Sequence, residues 1–199
     1  MVTALCLTKD RREWLPQAIR CWQLQSYADR ELLIVADGAD VSDLVPRDER
    51  IRLIGPSGAR TIGEKRNFGC AAARGQIICH WDDDDWSGPA RMADQVARLM
   101  SSGRAVTGYR RIRFTTGEAS WLYKGAENYV VGLSLCYLRA WWAEHPFPHL
   151  QVGEDNAFVF ASAAAHQLAP ADAGDLMYGT IHAGNTSPRQ IEKHSWERL

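Results

Sequence analysis

The chain has 199 residues, 23 Lys+Arg against 24 Asp+Glu, a net charge of -1 and 46% hydrophobic residues. That balance excludes a disordered chain, which combines low hydrophobicity with large net charge, and it lacks the basic excess of a phosphate-reading nucleic-acid binder. A chain of roughly 200 residues is long enough to bury about 70% of its extended surface in one compact domain.

Val2 to Leu7 reads as a buried strand that ends in the polar turn Thr8-Lys9-Asp10. Trp14, Leu15, Ala18, Ile19 and Trp22 then recur at helical spacing, with Pro16 tolerated in the first turn. Glu31 to Ala36 is a second apolar strand stopping at Asp37-Gly38, and Ile51 to Ile54 a third, closed by Gly55-Pro56. Thr61 to Arg74 is helix-like with Gly75 as its C-cap, and Gln76 to Trp81 is a strand running into four aspartates, Asp82 to Asp85. Pro89 to Ser101 reads as an amphipathic helix. Arg104 to Phe114 and Ala119 to Lys124 read as strands joined at Thr116-Gly117, and Val130 to Arg139 as another. Trp141 to His145 and Asn156 to His166 read as helices, and Leu176 to Ile181 as a last strand.

This order predicts an α/β fold on a mixed, mostly parallel sheet flanked by helices. In such sheets ligands gather beyond the carboxyl ends of the strands, so Thr8 to Asp10, Asp37-Gly38 and Asp82 to Asp85 are expected along one edge. No repeat or composition break divides the chain, which predicts a single domain over 1-199.

The apolar runs are strand-sized, far short of the roughly 20 residues of a spanning helix. The N-terminus lacks the form of a secretory signal, and the five cysteines show no metal-ligand spacing, so the expectation is a cytoplasmic protein with reduced, packed cysteines.

Four adjacent carboxylates repel one another and call for a positive partner. In an extended segment Asp82 and Asp84 face one side and Asp83 and Asp85 the other. A divalent cation held by one or two such carboxylates and completed by substrate phosphates is one solution, and a solvated acidic loop is the other. Trp81 and Trp86 on the flanks favour the first.

Several segments in order resemble glycosyltransferase family 2, of GT-A fold. They are Val2 to Asp10, the strand Leu32 to Gly38, Gly63 to Gly69 with Ala72 to Gly75, and Trp81 to Trp86. Further on, Gly153-Glu154-Asp155 resembles that family's Glu-Asp motif, and Ile181 to Ser187 its C-terminal His segment. The resemblance implies an inverting transferase that moves a sugar from a nucleoside diphosphate sugar, UDP by default, to an acceptor hydroxyl on a glycan, a lipid-linked acceptor or a protein. It implies a nucleotide-sugar-binding half over 1-88 and an acceptor and catalytic half over 89-199.

Residue by residue, Asp37 matches the base-contacting acid and Thr8 the turn lining the same pocket. Lys65 and Arg66 fall at the basic position near the diphosphate. Asp82 and Asp84 match the Asp-x-Asp pair, with Asp82 and Asp83 on the donor side and Asp84 on a Mn²⁺ or Mg²⁺ ion that His182 completes. Asp155 matches the general base, with Glu154 beside it. No nucleic-acid partner is implied, and a membrane-bound acceptor would be reached peripherally or through a partner protein.

The chain departs from the family at Ala36-Asp37, Ala39 and Leu7-Thr8-Lys9-Asp10, which line the base pocket and leave the nucleotide open. Eight tryptophans are many for this length, and Trp86, Trp121, Trp141 and Trp142 fall in the part of the chain expected to face donor sugar and acceptor, where one or two could stack on sugar rings. Another class of function stays open: a non-catalytic GT-A-like module that binds nucleotide sugar or glycan.

Overall fold

The computed structural model describes residues 1-55, 61-187 and 189-199. The expected turn residue Pro56 lies outside them. Strand β1 (Val2–Lys9) pairs in parallel with β2 (Arg30–Asp37), and β2 with β3 (Ile51–Ile54). On its other side β1 pairs in parallel with β4 (Ile77–His80). β1 and β2 carry continuous apolar runs because both their faces are covered. Helix α1 (Leu15–Gln23) buries Leu15, Ala18, Ile19 and Trp22 on one face. Helix α2 (Ile62–Ala72) lies on the other, against Leu5, Leu33 and Val35 through Cys70.

Thr61 caps α2 through a reciprocal capping box with Glu64. The helix ends at Ala72, so Gly75 is not its C-cap. Gly75 instead donates its amide to Thr3 Oγ1 at 2.9 Å, and a Cβ there would stand 2.6 Å from the Thr3 nitrogen. Glycine serves a close approach to β1 and not a helix stop.

The second half is built on the long strand β6 (Val106–Thr115). Its start pairs antiparallel with β8 (Cys136–Leu138), which joins it to β4, and parallel with β9 (Leu168–Asp172). Its end pairs antiparallel with β7 (Ser120–Lys124) and parallel with β10 (Met177–Thr180). Two short strands complete the sheet, β5 (Trp86–Ser87) on β10 and β11 (Trp196–Arg198) on β7. Helices α3 (Arg91–Ser102), α4 (Arg139–Glu144) and α5 (Glu154–Ala164) cover this half. No helix among the described residues is long and apolar enough to cross a membrane.

The expected strand over 130-139 is broken by a 3₁₀ turn at Gly132–Ser134, and only Cys136–Leu138 is strand. Ser134 is the physical reason. Its hydroxyl accepts from the Tyr109 amide at 2.7 Å and donates to the Val131 carbonyl at 2.7 Å, replacing ladder bonds of a continuous strand. The five cysteines are buried and unbridged.

Candidate functional site

The register of the parallel strands sets Thr8 opposite Ala36 and Lys9 opposite Asp37, and β4 ends two residues before Asp82. The three polar strand ends therefore meet at one edge, as expected of a parallel sheet. A cleft of about 340 Å³ opens there. It is lined by Thr8, Lys65, Arg66 and Asp82 to Asp85 from the first half, and by Glu154, Asp155 and residues 185-187 and 189 from the second.

The aspartates do not form an extended segment with alternating faces. Asp83 and Asp84 sit in a turn, and one cation reaches both: Arg11 Nη1 donates to Asp83 Oδ1 at 3.1 Å and to Asp84 Oδ2 at 2.9 Å. Asp85 is buried and accepts the Thr180 amide at 2.8 Å, which ties the cluster to β10. Burial, opposed by Arg66 and reinforced by Asp84 and Asp83, pushes Asp82 up to about 6. Burial beside Asp84 and Asp82 raises Asp85 well above the carboxylate range. Among the described residues Arg11 is the guanidinium in direct contact with this acidic cluster.

Lys65 and Arg66 both line the cleft, and each is paired with an acid. Lys65 is buried and pairs with Asp37 at 2.7 Å, and this hydrogen bond holds the Asp37 carboxyl below its ordinary value. Asp37 is outside the cleft lining, reaching it through Lys65. The turn after β1 is fixed by Asp10, a non-glycine residue at φ 53, whose carboxylate accepts the Ala39 amide at 2.9 Å. Arg66 donates through Nε to Glu154 at 3.0 Å, while its buried Nη1 has no partner among the described residues. An unspent guanidinium donor on the cleft wall suits an anionic group.

Glu154 is buried on Arg66, and burial raises its pKa against the pull of that cation. Asp155 lies in the first turn of α5, behind Gly153 at φ 88. Its carboxylate rests on Gly132, where an added Cβ would fall 1.7 Å from Oδ2. Gly132 is therefore small so that Asp155 can occupy this position.

His182 meets Asp84, with Nε2 and Oδ2 2.9 Å apart. The Gly184 amide donates to Nδ1 at 3.1 Å, which assigns the proton of a neutral ring to Nε2. His182 thus donates to Asp84 and presents no lone pair there. Trp14 stacks on its ring at 4.6 Å, and Asn185 adds a third donor to Asp84 Oδ2 at 3.4 Å. Among the described residues no three His, Cys, Asp or Glu side chains form a ready-made metal cage. The oxygen donors Asp82 and Asp84 nonetheless suit a hard cation completed from outside the protein.

Arg11, Trp14 and Asn185 were not singled out as site residues from sequence. The signal for Arg11 was its place in the polar turn after β1, directly beyond Thr8. Trp86, Trp121, Trp141 and Trp142 do not line the cleft. Trp86 stacks on Tyr178 at 4.9 Å, Trp141 donates to Ser162 and Trp142 to Asn67, so these three serve packing.

The fold and cleft define a GT-A-type α/β domain. The sequence matches the glycosyl transferase family 2 model over residues 5–164, and the chain belongs to that family. Among solved structures it is similar to S. aureus TarS 1-349 in complex with UDP-GlcNAc, with a TM-score of 0.77 at 14% identity. That match covers 93% of this chain and 60% of that one. It is also similar to the mannosyltransferase PcManGT from Pyrobaculum calidifontis in complex with GDP-Man and Mn²⁺, with a TM-score of 0.73 at 15% identity. There the match covers 93% of this chain and 58% of the other. The chain thus spans about 60% of the length of these structures. No curated protein sequence matches it.

Proposed function

We propose that this chain is an inverting glycosyltransferase that moves a sugar from a nucleoside diphosphate sugar to an acceptor hydroxyl. The observation that carries this reading is the shared cleft, in which Asp155 faces the same space as Asp82 to Asp85, Lys65 and Arg66. Residues 1-88 would hold the donor and 89-199 bring the base. Family membership and the GT-A fold support the reading, as do the nucleotide sugars bound by the two structural neighbours.

The Asp155 carboxylate takes the acceptor hydroxyl's proton as that oxygen attacks the anomeric carbon. The bond from that carbon to the diphosphate breaks, and its electron pair leaves on the diphosphate oxygen. Attack opposite the leaving group inverts the configuration, by analogy with single-displacement glycoside chemistry. The free Nη1 of Arg66 donates to the departing diphosphate, and Glu154 holds that guanidinium in place. Asp37, fixed by Lys65 and Lys9, takes the nucleotide base beside Thr8. Asp82 and Asp84 would hold a Mn²⁺ or Mg²⁺ ion, which supplies charge neutralisation on the diphosphate when bound.

The test is to incubate the purified protein with UDP-, GDP- and dTDP-sugars and Mn²⁺ and to follow nucleoside diphosphate release with glycan, lipid-linked and protein acceptors. Release with at least one donor, lost on Asp84→Ala, is expected. Absence of both binding and release across the panel contradicts the reading, and binding without release on any acceptor favours a non-catalytic module.

A further inference from the structure

Arg11 joins three separate parts of the chain. It stands in the turn after β1, its Nη1 holds Asp83 and Asp84 after β4, and its Nη2 donates to the Gly184 carbonyl in the C-terminal segment. Asp84 Oδ2 is crowded as a result. It faces Arg11 at 2.9 Å, His182 Nε2 at 2.9 Å and Asn185 Nδ2 at 3.4 Å. A carboxylate oxygen offers about two lone-pair directions, so three donors leave none for a cation. A divalent ion on that oxygen would also repel the guanidinium beside it.

We propose that Arg11 is a latch: it and a divalent cation compete for the Asp83 and Asp84 carboxylates, so cation binding releases the tie between Arg11 and Gly184 and loosens segment 182-187. This rests on the reading of Asp84 as a cation-holding residue. Arg11 itself lines the cleft, so the released guanidinium remains within reach of a diphosphate bound there. One side chain then serves as counter-ion to the carboxylates in one arrangement and as an anion donor in the other. The same exchange links metal and donor binding to the position of the C-terminal segment.

The experiment measures binding of Mn²⁺ alone, without nucleotide, by electron paramagnetic resonance of the free ion. Loss of a charge-assisted partner of the carboxylates is expected to tighten Mn²⁺ binding by about tenfold or more in Arg11→Ala and Arg11→Gln. Arg11→Lys, which keeps the charge, is expected to stay nearer the wild type. Hydrogen exchange supplies a reading that needs no variant: Mn²⁺ is expected to speed exchange of the amides of 182-187 in the wild-type chain. Equal or weaker Mn²⁺ binding in Arg11→Ala and Arg11→Gln, or exchange of 182-187 unchanged by Mn²⁺, overturns the latch. Asp84→Ala separates the two readings. If it abolishes Mn²⁺ binding while the Arg11 variants match the wild type, the latch fails and the cation role of Asp84 stands. If it binds Mn²⁺ like the wild type, both fall.

Discussion

The two walls of the cleft are held by different means. The wall from the first half is made of parallel strand ends, and its charges are answered within the chain: Lys65 by Asp37, and Asp83 and Asp84 by Arg11. The opposite wall is a helix start and a loop, and its acid is placed by shape, with the Asp155 carboxylate seated on Gly132. In the proposed latch, electrostatic pairing is what lets the first wall exchange partners when an anion or cation arrives. Steric seating makes the second wall hold one geometry. The Arg66–Glu154 pair spans the two and fixes their relation.

Breaking that bridge is expected to have the largest effect. Both side chains are buried, so Glu154→Ala leaves the Arg66 guanidinium without its hydrogen-bonded partner, at a cost of about 3–5 kcal/mol in unfolding free energy. Urea denaturation measures it, and a loss near zero would mean that the walls are held together by other contacts.

Gly132→Ala sharpens the contrast between the walls. The new methyl meets the Asp155 carboxylate and displaces it by an ångström or so, which, with Asp155 as the proposed base, is expected to lower kcat about 10²-fold. Nucleotide affinity, which the proposal assigns to the other wall, is expected to be unchanged by calorimetry. A parallel loss of affinity would show that the walls are not independent.

The smallest effect concerns His80, buried beneath the cleft between the Gly132 carbonyl at 2.8 Å and Tyr137 Oη at 3.3 Å. Burial, helped by the nearby Arg66 and Arg91, drives its pKa well below 6.5. The folded state therefore binds fewer protons than the unfolded state once the pH falls below about 6.5, so this group's stability contribution is present above that value and lost on acidification. The slope from one such group is at most about 1.4 kcal/mol per pH unit. The buried aspartates with raised pKa values act in the opposite direction from the ordinary carboxylate range up to their raised values, about 6 for Asp82, so the difference between wild type and His80→Gln is what isolates the histidine. Identical pH profiles for the two proteins would contradict its assignment as a neutral buried ring.

How much of this was legible in the sequence differs between the halves in the same way. β1 and β2 announce themselves because strands covered on both faces carry apolar runs such as Leu32 to Ala36, and α1 by the helical spacing of its apolar residues. Their carboxyl-end residues followed from the topology alone. In the second half β9 contains Pro170 and β11 is three residues long, and β5, just before that half, is two, too short for a period to show. The break at Gly132–Ser134 was illegible because Val130 to Leu138 is apolar enough for a strand, and its shape is decided by Ser134 and by Asp155, far apart in sequence. Within the site, the structure sets His182 Nε2 2.9 Å from Asp84 Oδ2 as a hydrogen-bonded pair between distant segments. The roles of Arg11, Trp14 and Asn185 depend on contacts between segments 70 residues or more apart, or on the local turn that brings Asn185 back to Asp84, and neither leaves a mark in composition or spacing.

The most direct measurement of the central claim compares wild type with Asp155→Asn, using a donor found active in the panel, for both nucleotide binding by calorimetry and transfer rate. Loss of a general base is expected to lower kcat by about 10²–10⁴-fold while the nucleotide Kd stays within about twofold of the wild type. Unchanged transfer, or a loss of transfer matched by an equal loss of binding, would contradict Asp155 as the group that takes the acceptor's proton.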